Sequence, residues 1–132
     1  MHPKTFAKLP TWTSQEVFDY VVAALRKQGK PSMGSDGECK YLNPEGLKCA
    51  VGHLIPPDLY SKDMEDNNVL GLKDKFPQLK NITPHYKLLR DLQYAHDGWS
   101  YNIHKENHLK LFEERLQGVA SKFKLTYTPP LT

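Results

Sequence analysis

No stretch of this 132-residue chain approaches the ~20 consecutive apolar residues that cross a bilayer, and its mean hydropathy is -0.63. A membrane protein is excluded on those grounds. The N-terminal residues include lysines but no apolar core of a secretory signal, so the expected compartment is the cytoplasm. Cysteine is scarce. Cys39 and Cys49 are the two present, and a reducing compartment favours free, buried thiols over a disulfide. Phosphate-cradling glycine loops, a dinucleotide fingerprint and a serine nucleophile elbow are all missing. Excess charge of one sign is small as well. The net charge is +3, well short of the clustered basic charge of a nucleic-acid-binding domain.

What is present fits one domain, residues 1–132, with an N-terminal arm over 1–12 and an extended tail over 125–132. Thr13-Ser14-Gln15-Glu16 reads as a capping box. Val17, Val21 and Leu25 recur at i, i+4 and i+8, and Gly29 with Pro31 stops the pattern. Together these predict a helix over 14–28. A short helix is expected near 67–75. Thr83-Pro84 starts another, with Leu88, Leu89, Leu92 and Ala95 as its stripe and Asp97-Gly98 as its end. The last helix is expected over 103–123, capped by Asn102.

Between the first two helices lies Asn43-Pro44-Glu45-Gly46, a turn signal flanked by Cys39–Leu42 and Leu47–Gly52. A type I turn with a bulge pairs Asn43 with Leu47 and predicts a β-hairpin over 38–52. The expected fold class is therefore α+β, a small helical domain with one hairpin packed on the helices.

Four side-chain groups could carry chemistry. Cys39, Cys49 and His53 offer metal-ligand atoms, but their spacing departs from the compact pairs of zinc sites, and no metal or other cofactor is assigned. Cys49 with His53 or His96, oriented by Asp97, would make a thiolate–imidazole pair, although Cys49 in a strand reads as packing. Tyr94, Trp99 and Tyr101 gather aromatic surface near a helix end, with Arg90 close by, a combination suited to stacking a base and pairing a phosphate. Lys40 and Lys48 on the hairpin add two cations.

The stretch Cys39 to Pro56, CKYLNPEGLKCAVGHLIP, resembles a motif of small proteins from tailed phages and their hosts. The likeness extends over about residues 15–97, through Pro57-Asp58-Leu59-Tyr60, Met64-Glu65 and Leu92 to Asp97. The resemblance implies a phage or prophage origin and a place in the host cytoplasm. It attaches no named activity. By that context the expected function is a non-enzymatic binding protein, an anti-defence factor that sequesters a nucleotide-derived immune signal. Its ligand-binding residues are expected to be Lys40, Lys48, His53, Arg90, Tyr94, His96, Trp99 and Tyr101, with no catalytic residue. Two alternatives stand beside it: a protein–protein inhibitor of a host protein, and a small hydrolase built on Cys49 and a histidine. The expected partner is a nucleotide-like small molecule or a host protein, with no membrane and no specific nucleic acid. A homo-oligomer is left open.

Overall fold

The computed structural model describes residues 1–131. Its elements are helices. Helix α1 (Pro3–Lys8) runs into a 3-10 turn, and α2 spans Ser14–Gln28. A long irregular connection over 29–68 follows, holding 3-10 turns at Val51–Leu54 and Lys62–Met64. Then come α3 (Val69–Lys75), a 3-10 stretch Pro77–His85, α4 (Tyr86–Tyr101) and α5 (His108–Lys122). No helix among the described residues is long and apolar enough to cross a membrane.

The start and stop of α2 follow from local chemistry. The Glu16 amide donates to the Thr13 hydroxyl at 3.1 Å, and the Thr13 amide donates back to the Glu16 carboxylate at 2.9 Å. Gly29 ends the helix at φ +77°, a left-handed position that a side chain strains. The buried stripe Val17, Phe18, Val21, Val22 and Leu25 faces the core.

The centre of the molecule is α4, which α5, α3, α2 and the 3-10 segments Val51–Leu54 and Pro77–His85 pack against. Trp99 on α4 stacks on Phe112 of α5 with ring centroids 4.1 Å apart, and its indole N–H donates to His108 Nδ1 at 3.0 Å. Helix α4 does not stop at Asp97-Gly98 as its sequence suggests. It continues one turn to Tyr101, which carries Trp99 into the core, and the chain turns over 102–107 before α5. The N-terminal arm is itself helical and buries Phe6 and Leu9. Residues 125–131 form no helix and are pinned: Gln15 exchanges two hydrogen bonds with the Thr126 backbone, and Arg26 donates to the Thr128 carbonyl at 2.8 Å.

The expected β-hairpin is absent, and the fold class is all-helical rather than α+β. Among the described residues the β pairing is one isolated antiparallel bridge, Met33 with Cys39. The turn itself forms: the Asn43 amide donates to the Leu47 carbonyl at 2.9 Å, and Gly46 sits at φ +84°. The flanking strands do not pair because their backbone groups are taken by side chains from elsewhere. The amides of Tyr41 and Leu42 donate to the two carboxylate oxygens of Glu65, at 2.9 and 3.2 Å. The Lys48 amide donates to Gln28 Oε1, and the Lys48 carbonyl accepts from Gln28 Nε2, both at 2.9 Å. Every buried backbone group needs a partner, but a sheet is only one way to supply it. Glycine lets the two arms cross closely, since a Cβ at Gly52 would stand 2.1 Å from the Tyr41 carbonyl oxygen.

Candidate functional site

One face of α4 forms a wall of a cleft. Tyr86, Arg90, Tyr94 and Asp97 follow at three- or four-residue spacing and share one face of the helix, with Gln93 beside them. Opposite them stands the N-terminal end of α3, from Asp66 to Leu70, and residues 37–41 make the roof. The cleft encloses about 700 Å³, within the range of small-molecule sites. Its walls are tied together. Tyr41 donates its hydroxyl to the Asn67 carbonyl, while its own amide is held by Glu65. Gln93 accepts from the Val51 amide at 3.2 Å and donates to Asp97 at 3.0 Å. Asp66 is held at φ +65°, a conformation that aspartate tolerates better than most residues.

Beside the cleft, Cys39, His96 and Asp97 bring their sulfur, ring-nitrogen and carboxylate atoms within 4.8 Å of one another. The composition of this group suggests a metal site or a nucleophile with its base. Its hydrogen bonds suit neither. The Ser32 amide donates to His96 Nε2 at 3.0 Å, so that nitrogen carries the lone pair. The ring proton is then on Nδ1, 3.1 Å from Asp97 Oδ1 and donating to it. A metal at Nδ1 would drive the proton onto Nε2, against the Ser32 N–H. A base for Cys39 is missing for the same reason, because both ring nitrogens are engaged. Burial pushes the Cys39 thiol up to about 12, against a smaller opposing effect of the Ser100 hydroxyl. Burial also acts to raise the Asp97 carboxyl. Hydrogen bonds from His96, Cys39 and Gln93 outweigh it and hold Asp97 below its ordinary value. His96 is thus a brace between the 30–33 segment and α4.

Cys49 is fully enclosed, and burial pushes its thiol far above the ordinary range. It lines the cleft, and its burial disfavours the thiolate that the hydrolase reading requires.

Of the residues singled out from the sequence, the structure brings Lys40, Arg90 and Tyr94 together around the cleft. Lys40 is paired with Asp36 at 3.2 Å. Arg90 uses Nε on Asp91 at 3.1 Å and lies over the Tyr86 ring, leaving its terminal amines without a partner among the described residues. Tyr94 is 61% exposed, an aromatic face open to a ligand. The other residues lie elsewhere. Trp99 is in the core, His96 is buried in its brace, and Tyr101 stands in a shallower hollow that shares Cys39 and Asp97 with the main cleft. Lys48 and His53 sit near the N-terminal amine, away from the cleft. Tyr86, Asn67, Asn68 and Asp66 line the cleft without having been legible as site residues. Only the α-helical spacing of Tyr86, Arg90 and Tyr94 could have pointed to one of them.

No known protein family, curated protein or solved structure matches this chain.

Proposed function

We propose that this chain is a binding protein that takes a nucleotide-like small molecule into the cleft between α3 and α4 and holds it unchanged. The observation that carries the reading is the cleft itself, about 700 Å³ with the open ring of Tyr94 and the free guanidinium edge of Arg90 at its mouth. A base stacks on an exposed tyrosine, and arginine pairs with phosphate in a fork. Acceptors for ribose hydroxyls are supplied by Asp66, whose carboxylate has no protein donor among the described residues, and by Asp97. The chemistry around Cys39 favours retention over turnover, since its thiol stays protonated and its neighbouring imidazole is occupied. The resemblance of Cys39 to Pro56 to tailed-phage proteins supports the biological form of this reading, sequestration of a nucleotide-derived immune signal.

The test is mass spectrometry of the protein purified from cells that make cyclic nucleotide or ADP-ribose signals. Denaturation is expected to release one nucleotide, chemically intact, and the Tyr94→Ala protein is expected to come through purification without it. An empty wild-type protein overturns the reading, and so does a ligand recovered in altered form.

A further inference from the structure

On the other side of Tyr94 and Arg90, α4 and α5 enclose a second groove of about 450 Å³. Arg115 and Lys122 enter it from α5, seven residues apart on one helix face, and Arg90 reaches it from α4. Three cations face one carboxylate, Asp91, and that carboxylate is already engaged: Oδ1 by Arg90 Nε and Oδ2 by Lys122 Nζ at 2.6 Å. Arg115 is exposed, its guanidinium lies against the α4 backbone at Gly98, and it has no hydrogen-bond or ion-pair partner among the described residues.

Two glycines in helix interiors make this arrangement. Glycine there costs about 1 kcal/mol relative to alanine, so each position calls for a reason. At Gly98 the reason is visible: a Cβ would lie 2.6 Å from Arg115 Cζ, so the bare backbone of α4 seats the guanidinium. At Gly118 nothing stands within 4 Å of where a Cβ would be. That glycine packs against no part of the protein and leaves the groove open between Arg115 and Lys122.

We infer that the α4–α5 groove is a phosphate site, in which Arg90, Arg115 and Lys122 hold the phosphate end of a ligand whose base lies beyond Tyr94. The inference rests on the proposed nucleotide reading of the neighbouring cleft and extends it: the ligand carries more than one phosphate, or a bridging one long enough to pass the Arg90–Tyr94 ridge. Arg115 supplies a fork for phosphate oxygens, and Lys122 supplies a point charge.

The test uses the full chain, with inorganic tripolyphosphate and adenosine as separate probes, each followed by amide and side-chain NMR shifts. Tripolyphosphate is expected to shift α5 resonances over 115–122 together with Arg90. Arg115→Gln and Lys122→Gln are each expected to weaken it at least fivefold, and Lys80→Gln, which removes the same charge elsewhere, to leave it unchanged. Gly98→Ala keeps every charge but displaces the Arg115 guanidinium, and it is expected to weaken tripolyphosphate by less than Arg115→Gln does. Shifts spread evenly over all surface lysines overturn the inference, as does full affinity in both the Arg115 and Lys122 variants. Adenosine is expected to shift Tyr86 and Tyr94 and to be indifferent to Arg115→Gln. If adenosine shifts neither tyrosine while tripolyphosphate still fills the groove, the cleft reading fails and the phosphate site stands. The reverse result removes the phosphate site and keeps the cleft.

Discussion

The frame built by α2, α4 and α5 and the connection over 29–68 hold their shapes by different means. In the frame, apolar stripes at helical spacing bury Val21, Leu25, Leu92, Trp99, Phe112 and Leu116 against one another, and the backbone satisfies itself within each helix. In the connection the backbone pairs with itself in turns and around the Met33–Cys39 bridge, without forming a ladder of strands. The side chains of Glu65, Gln28, Asn43 and His96 reach across and take the amides and carbonyls one by one. The first arrangement distributes its stability over many contacts. The second concentrates it in a few polar side chains, each of which holds a particular wall of the cleft.

That difference can be broken most severely in the frame. Trp99→Ala removes the ring stacked on Phe112 and strands His108 Nδ1, so a loss of about 3–5 kcal/mol is expected in denaturant unfolding. Because the frame is shared by every element, the loss should appear equally in far-UV circular dichroism and in tyrosine fluorescence. A loss below about 1 kcal/mol would mean that Trp99 does not anchor the α4–α5 contact.

A sharper contrast comes from Glu65. Its carboxylate accepts from the Tyr41 and Leu42 amides and from the Tyr60 hydroxyl, the last at 2.6 Å. Glu65→Ala leaves three donors unpaired, two of them backbone, and is expected to cost about 2–4 kcal/mol. Unlike the tryptophan change, it should act locally. Hydrogen exchange is expected to rise over 37–49 while the amides of α4 keep their protection. Uniform loss of protection would show that the connection is not a separate unit held by this one side chain. Glu65→Gln keeps a single acceptor and should fall between wild type and Glu65→Ala.

The same contrast explains what could be read from the sequence. The bounds of α2 were legible because the capping box, the i, i+4 stripe and Gly29 all act within a few residues. The Asn43–Gly46 turn was legible for the same reason, and it forms. The hairpin extrapolated from it does not, because the partners that displace strand pairing come from Gln28 and Glu65, some twenty residues away. Gly98 reads locally as a helix stop, yet α4 passes through it, because the position is set by Arg115 of another helix. The site was partly legible on α4, where Arg90 and Tyr94 share a face by spacing alone. Asp66 and Asn67 carried no such signal, since only the fold brings the start of α3 opposite α4. Trp99 was drawn to the site by its neighbours in sequence and went to the core by the helical phase of α4.

The smallest effect concerns His53, which lies where the connection meets the frame. Its Nε2 is buried without a partner among the described residues. Burial, and after it the positive charges of Lys48 and the N-terminal amine, lower its pKa from 6.5 to about 4. A folded-state pKa below the unfolded one means that the unfolded chain takes up the proton first. The contribution of His53 to stability is therefore fully present above pH 6.5 and is lost as the pH falls from there towards 4. Allowing for incomplete burial, the loss is about 1–2 kcal/mol. Asp97, whose carboxyl is held below its ordinary value, acts in a lower window: its contribution is present above about pH 3.9 and disappears only as the pH drops through its depressed folded value. The two are separable by pH. His53→Leu keeps the backbone bond from residue 53 to the Cys49 carbonyl, removes the orphaned nitrogen and should be at least as stable as wild type at pH 7.5. Urea midpoints at pH 7.5, 5.5 and 4.5 are expected to fall less steeply in the variant than in wild type. Parallel pH profiles would show that His53 is solvated in the native state, and the connection would then owe its acid sensitivity to the carboxylates alone.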